Sequence, residues 1–182
     1  MRVVIGIVIV VVALGIIYWF IQRRREWDRI GADLNMKGNV QILDMSVSNG
    51  KALINFAKRL TSPGKIIGIA ANEKQEQRLK ELIKEAAVAD RAKTVLTDVT
   101  NLSFTDHCFD FVIIAGLQQV KPAITRGRVL QEAVRVLAAH GTLVIIDSGN
   151  MQRYEQLLEY YGIKNISGRK INGQKVIVAK RL

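Results

Sequence analysis

Val40–Gly50 reads VQILDMSVSNG: an apolar run, an aspartate, then a turn of small residues that leads into an amphipathic stretch. This is the pattern of a first strand handing over to a first helix, the point where doubly wound α/β domains place their ligand. The rest of the chain repeats the alternation. Leu53, Phe56, Ala57 and Leu60 recur at helical spacing before the turn Thr61-Ser62-Pro63-Gly64, and Lys65–Ile69 is a second strand. Asn72 caps a helix whose buried stripe is Leu79, Leu82, Ile83 and Ala86, with Glu76 and Lys80 paired on its wet face. Lys93–Leu96 is a third strand ending at Asp98. Phe109–Ala115 is a fourth, and its nearly unbroken apolar run marks the centre of a sheet covered on both faces. Val129, Leu130, Ala133, Val134 and Leu137 stripe the next helix, Thr142–Ile146 is a fifth strand ending at Asp147, and Tyr154, Leu157, Leu158 and Tyr161 stripe a last helix closed by Gly162. Ile166–Ile171 and Gln174–Ala179 flank Asn172-Gly173, a strong hairpin signal. The predicted fold is a Rossmann-like, mostly parallel seven-stranded sheet that finishes with an antiparallel hairpin.

The chain of 182 residues is 49% hydrophobic, enough for one core. Cys108 is the only cysteine, so neither an intrachain disulfide nor a cysteine-held metal is available, which suits a reducing compartment. Net charge is +11, and since Arg2 is the only charged side chain in Met1–Ile21, the remainder carries +10. Such a surface favours anionic partners. Aromatics are sparse among the basic residues, so acidic lipid headgroups are a better match than RNA.

Val3–Ile21 is an uncharged run of 19 residues, long enough to cross a bilayer core of about 30 Å as a helix. Tyr18, Trp19 and Phe20 sit at its end and Arg23, Arg24, Arg25 and Arg29 follow, so the predicted topology is single-pass, N-terminus out and globular domain cytoplasmic. A cleaved signal peptide would have a shorter apolar core preceded by its charges. The expected organisation is a transmembrane anchor over residues 1–21, a basic juxtamembrane connector over 22–38 lying along the membrane surface, and a globular domain over 39–182.

The motifs of Val40–Leu182 together resemble those of class I S-adenosylmethionine-dependent methyltransferases, most of all the group that includes quinone C-methyltransferases. ILDMSVSNG resembles the first motif of that family and GKIIGIAANEKQ its second. LTDVTNLSFTDHCFDFVIIAGLQQV resembles the third and fourth, and RVLQEAVRVLAAHGTLVIID the region of the fifth strand. The resemblance implies S-adenosylmethionine as cofactor. It places Asp44, Ser46, Ser48 and Gly50 at the methionine portion, Ala70 where the ribose is gripped, Asp98 and Val99 at adenine, and Gly116 with Leu117 where cofactor and acceptor meet.

Two departures from that family pattern stand out. Ser46 and Ser48 replace glycines of the first turn, which costs about 1–2 kcal/mol at either position if positive φ is needed there. Ala70 stands where a carboxylate is expected, and losing one charged hydrogen bond costs about 1.5–3 kcal/mol. Glu73, nearby in sequence, is a candidate substitute. No acid/base pair stands out. Asp147 reads as a residue that caps a helix or satisfies turn amides, His107 and His140 as turn residues at the surface, Cys108 as a small hydrophobe, and Gln118 and Gln119 as residues facing an acceptor. Methyl transfer depends chiefly on alignment, so the absence of such a pair does not argue against it. The leading expectation is a membrane-anchored methyltransferase acting on a lipid, quinone or other membrane-proximal acceptor. The alternatives are an inactive methyltransferase-fold pseudoenzyme serving as a tethered binding module and, on charge alone, an RNA methyltransferase.

Overall fold

A computed structural model of the protein describes residues 27–46, 50–171 and 174–182. The expected membrane span, Ser48 and Asn172-Gly173 lie outside the described residues. No helix among the described residues is long and apolar enough to cross a membrane.

The run FDFVIIA becomes strand β4 (Phe109–Ala115), with β1 (Gln41–Asp44) on one side and β5 (Leu137–Asp147) on the other. Beyond β1 lie β2 (Lys65–Ala70) and β3 (Ala92–Leu96), and beyond β5 lie β7 (Gln174–Lys180) and β6 (Asn165–Ile171). The strand order is β3-β2-β1-β4-β5-β7-β6, with β1 to β5 parallel and β7 antiparallel to both its neighbours. The order reverses between β1 and β4, which creates a crevice at their carboxyl ends.

Side chains of β4 alternate between two cores, as the period of a strand demands. Val112 and Ile114 join Val129, Leu130 and Ala133 of α4 (Thr125–Val136) and Tyr154 and Leu158 of α5 (Met151–Tyr160). Ile113 joins Leu53 and Phe56 of α2 (Lys51–Ala57) and Leu79 and Ile83 of α3 (Glu73–Glu85) on the opposite face. Local signals place the helix ends. Asn72 accepts a hydrogen bond from the Gln75 amide at 2.9 Å, Glu76 pairs with Lys80 at 2.9 Å, and Gly162 takes φ +88° after α5.

Two regions differ from expectation. The fifth strand begins at Leu137, not Thr142, because Leu137 leaves the helix with extended backbone and pairs with Phe109. The register then shifts, and His140, expected in a turn, lies within β5 at φ +60°. Residues 27–33, expected in a surface connector, form a helix, α1, that is packed into the domain. Trp27, Ile30 and Leu34 share one face, Ile30 and Met36 are buried, and the Trp27 ring meets Phe56 edge-on at 5.7 Å. Arg59 reaches the Asp28 carbonyl at 2.7 Å, and Asp33 pairs with Arg169 of β6 at 3.2 Å.

Candidate cofactor site at the carboxyl edge of the sheet

The first turn is held from within. Asp44, 4% exposed at the end of β1, accepts the Ser46 amide at 3.0 Å, and the Ser46 hydroxyl accepts the Ala115 amide from the tip of β4 at 3.1 Å. Burial pushes the Asp44 carboxyl up to about 6, against the opposing pull of the Ser46 hydroxyl and amide and the Leu53 amide. Ser46 does not adopt positive φ, so the strain expected of a serine there does not arise. Its hydroxyl instead ties the first turn to the fourth strand.

Gly50 does adopt positive φ, +76°, at the N-cap of α2. A Cβ there would lie 2.7 Å from Leu79 Cδ2 and 3.1 Å from Leu82 Cδ1. The backbone conformation favours glycine, and any side chain there would also have to displace the tips of these two leucines of α3. Gly116 likewise takes φ +77°, donates its amide to Ile146 at 3.0 Å and opens the short 3-10 turn Leu117–Gln119. Asp147, at the end of β5, is fully engaged: it accepts the amides of Ser148, Gly149 and Gln118 at 2.7, 3.0 and 2.7 Å and the Tyr154 hydroxyl at 3.3 Å. It satisfies the amides around the loop after β5, while the cap of α5 is Asn150, which accepts the Arg153 amide at 3.3 Å.

On the other side of β1 the edge is open. A cleft of about 610 Å³ lies between the start of α3 and the end of β3, lined by Ala71, Asn72 and Glu73 on one wall and by Leu96, Thr97, Asp98 and Val99 on the other. Leu96 is 43% exposed, one of few large apolar side chains so open among the described residues. Asp98 takes the Thr100 amide and hydroxyl on Oδ1, both at 2.8 Å, and these hydrogen bonds hold its carboxyl below the usual carboxylate range. Ala70 is wholly buried, and its neighbour Ala71 donates its amide to Gln75 Oε1 at 3.0 Å.

Residues 97–108 are tied down onto α4. Arg135 donates to the carbonyls of Leu102 and Phe104 and to the carboxylates of Glu132 and Asp106, all within 3.0 Å, while Glu132 accepts the Leu102 amide. The Arg135 guanidinium lowers the Glu132 carboxyl. This clamp fixes the segment that carries Asp98 and Val99. His107 is part of the same frame: its exposed ring accepts Arg181 at 2.7 Å on Nδ1 and has no catalytic setting.

A family model described as "Methyltransferase domain" matches residues 42–141, more than half of the chain. The chain belongs to the methyltransferase domain family. It is 28% identical over 126 residues to the demethylmenaquinone methyltransferase of Lactiplantibacillus plantarum, covering 68% of this chain and 52% of that protein. It is also 28% identical over 123 residues to the 27-O-demethylrifamycin SV methyltransferase of Amycolatopsis mediterranei, covering 68% and 44%. The chain therefore spans about half the length of these curated relatives. A SAM-dependent methyltransferase from Aquifex aeolicus superposes with a TM-score of 0.74 at 18% identity, covering 87% of this chain and 93% of that one, a likeness of fold.

Family and fold imply S-adenosylmethionine as the cofactor, and the open cleft suits its nucleoside. A volume of about 610 Å³, an apolar wall with a bare leucine, and two carboxylates match a flat base whose amine and sugar hydroxyls are donors. The candidate residues fall into two groups. Asp44, Ser46 and Gly116 are linked through the tips of β1 and β4, whereas Asp98 and Val99 line the cleft and Ala70 is buried between the two groups. Leu96 was not among the residues singled out from sequence. An apolar residue directly before Thr97-Asp98 at a strand end is the signal that points to it.

Proposed function

We propose that this chain is an S-adenosylmethionine-dependent methyltransferase that works at a membrane surface on a quinone or a similar lipid-borne acceptor. The observation that carries the reading is the carboxyl edge itself: a positive-φ glycine after β1, a cleft beside β3 and a second positive-φ glycine after β4, all at the carboxyl ends of the parallel strands of a family-matched domain. When bound, the cofactor supplies an electrophilic methyl group. The chain's own residues supply placement. Asp44 and Ser46 hold the first turn, Leu96 and Val99 offer the base an apolar wall, Asp98 offers an ionised acceptor, and Gly116 lets backbone come close where the acceptor would enter.

The acceptor class is supported by two observations. A relative matched over much of this chain is a demethylmenaquinone methyltransferase, and Val3–Ile21 is an uncharged run followed by four arginines within eight residues. We place residues 1–21 across the bilayer, with the domain on the cytoplasmic side and the basic stretch against anionic headgroups.

The test is methyl transfer by the full chain in anionic vesicles that contain a demethylated quinone, followed with a radiolabelled methyl donor. Label in the lipid fraction, lost when residues 1–21 are removed, is the expected result. Equal activity of the truncated chain on a water-soluble polar acceptor would defeat the membrane-substrate reading.

A further inference from the structure

We infer that Glu73, at the first turn of α3, is the carboxylate that receives the ribose hydroxyls of the cofactor in this chain, an assignment that rests on the cofactor reading above. The tip of β2 offers no acceptor of its own, since Ala70 has no polar side chain and is wholly buried. The cleft nonetheless has two carboxylates, one on each wall: Asp98 with the β3 end, beside Leu96 and Val99, and Glu73 with the α3 start.

Their partners separate their roles. Asp98 is pinned to its own wall by the Thr100 amide and hydroxyl. Glu73 is exposed and makes no hydrogen bond or ion pair among the described residues. The hydrogen bonds open to a side chain at this helix start are already made by others, which leaves Glu73 only its charge at the helix N-terminus. Asn72 Oδ1 takes the Gln75 amide, Gln75 Oε1 takes the Ala71 amide, and Glu76 turns to Lys80. An ionised carboxylate is an acceptor only, with two oxygens side by side, and a vicinal diol is its complement because it presents two O–H donors at matching spacing. With the base against Leu96 and Val99, the sugar is the part of the nucleoside left to face the opposite wall. Glu73 is the carboxylate of that wall.

The experiment is calorimetry on the full chain and on the Glu73→Ala and Glu73→Gln variants, with S-adenosylhomocysteine and its analogue lacking both ribose hydroxyls as the probes. Thermal unfolding of each variant accompanies the titrations and is expected to stay close to the parent, because Glu73 makes no side-chain hydrogen bond or ion pair among the described residues and contributes only its charge at the first turn of α3. Glu73→Ala is expected to weaken S-adenosylhomocysteine by about 10- to 150-fold and to leave the dihydroxyl-free analogue within about twofold of its parent affinity, with Glu73→Gln in between. Equal loss for both ligands would put Glu73 against some other part of the nucleoside and overturn the assignment, as would a variant that binds S-adenosylhomocysteine like the parent. A parent chain that binds neither ligand would instead overturn the cofactor reading, and Glu73 with it. Intact parental binding with an indifferent variant condemns Glu73 alone.

Discussion

The two halves of the carboxyl edge use the same kinds of side chain in opposite ways. On the β1–β4–β5 side, Asp44, Ser46 and Asp147 are 4, 6 and 4% exposed, and each is hydrogen-bonded to neighbouring backbone. On the β2–β3 side, Glu73 and Asp98 are exposed, Glu73 has no partner among the described residues, and Leu96 lies open to solvent. Buried polar groups must be satisfied, or each costs a desolvation penalty of about 1–3 kcal/mol, so the first half is a frame whose chemistry is spent on its own rigidity. The second half retains acceptors and apolar surface for a ligand. Changes in the frame should therefore appear as stability, and changes in the open wall as binding.

The largest break in the frame is expected from Gly50→Val. Positive φ and the 2.7 Å approach to Leu79 together cost about 2–5 kcal/mol, read as a lowered denaturation midpoint. A variant as stable as the parent would mean that α3 can withdraw from the turn without loss.

Asp44 supplies a test through pH. Its folded carboxyl is raised to about 6, above its ordinary value, so the folded state binds the extra proton. This contribution is fully present below about pH 4 and is lost as pH rises through about 6, amounting to roughly 3 kcal/mol. Lowered carboxyls such as Glu132 act with the opposite sign at lower pH. Denaturant titrations of parent and Asp44→Asn from pH 4 to 7 isolate the effect: the parent is expected to lose stability relative to the variant across that window. Parallel curves would show that Asp44 is solvated in the folded state.

The smallest effect sharpens the other side of the comparison. Leu96→Asn, at a position already 43% exposed, is expected to leave the melting temperature nearly unchanged while weakening S-adenosylhomocysteine by about 3- to 10-fold through lost apolar contact. A large stability loss with unchanged binding would reverse the roles of the two halves.

The sequence made the frame of the fold legible wherever periodicity and caps agreed. FDFVIIA matched β4 at both ends, and Asn72 and Gly162 marked helix ends through local hydrogen bonding and positive φ. Leu137 was misplaced because one apolar residue fits the last position of a helical stripe as well as the first of a strand, and its pairing with Phe109 decides the matter. α1 was hidden because Trp27, Ile30 and Leu34 form a sparse stripe among charges, and the apolar cluster that buries it, Phe56 included, is supplied largely from elsewhere in the chain.

The site was legible in residue type more than in role. The substitution of serine for glycine at position 46 looked like a strained departure, yet its hydroxyl bridges two strand tips, a role that depends on Ala115, 69 positions away. That Glu73 lacks a partner and Asp98 has one is likewise a property of three-dimensional surroundings.

The most direct measurement is calorimetric titration of S-adenosylmethionine into the full chain. Binding at one site with a dissociation constant of about 1–100 μM is predicted, equivalent to about −8 to −5.5 kcal/mol, because the open wall keeps its acceptors and the frame is unstrained at Ser46. Absence of binding at millimolar cofactor by a folded chain would contradict the account. The carboxyl edge would then belong to a methyltransferase fold that has lost its cofactor.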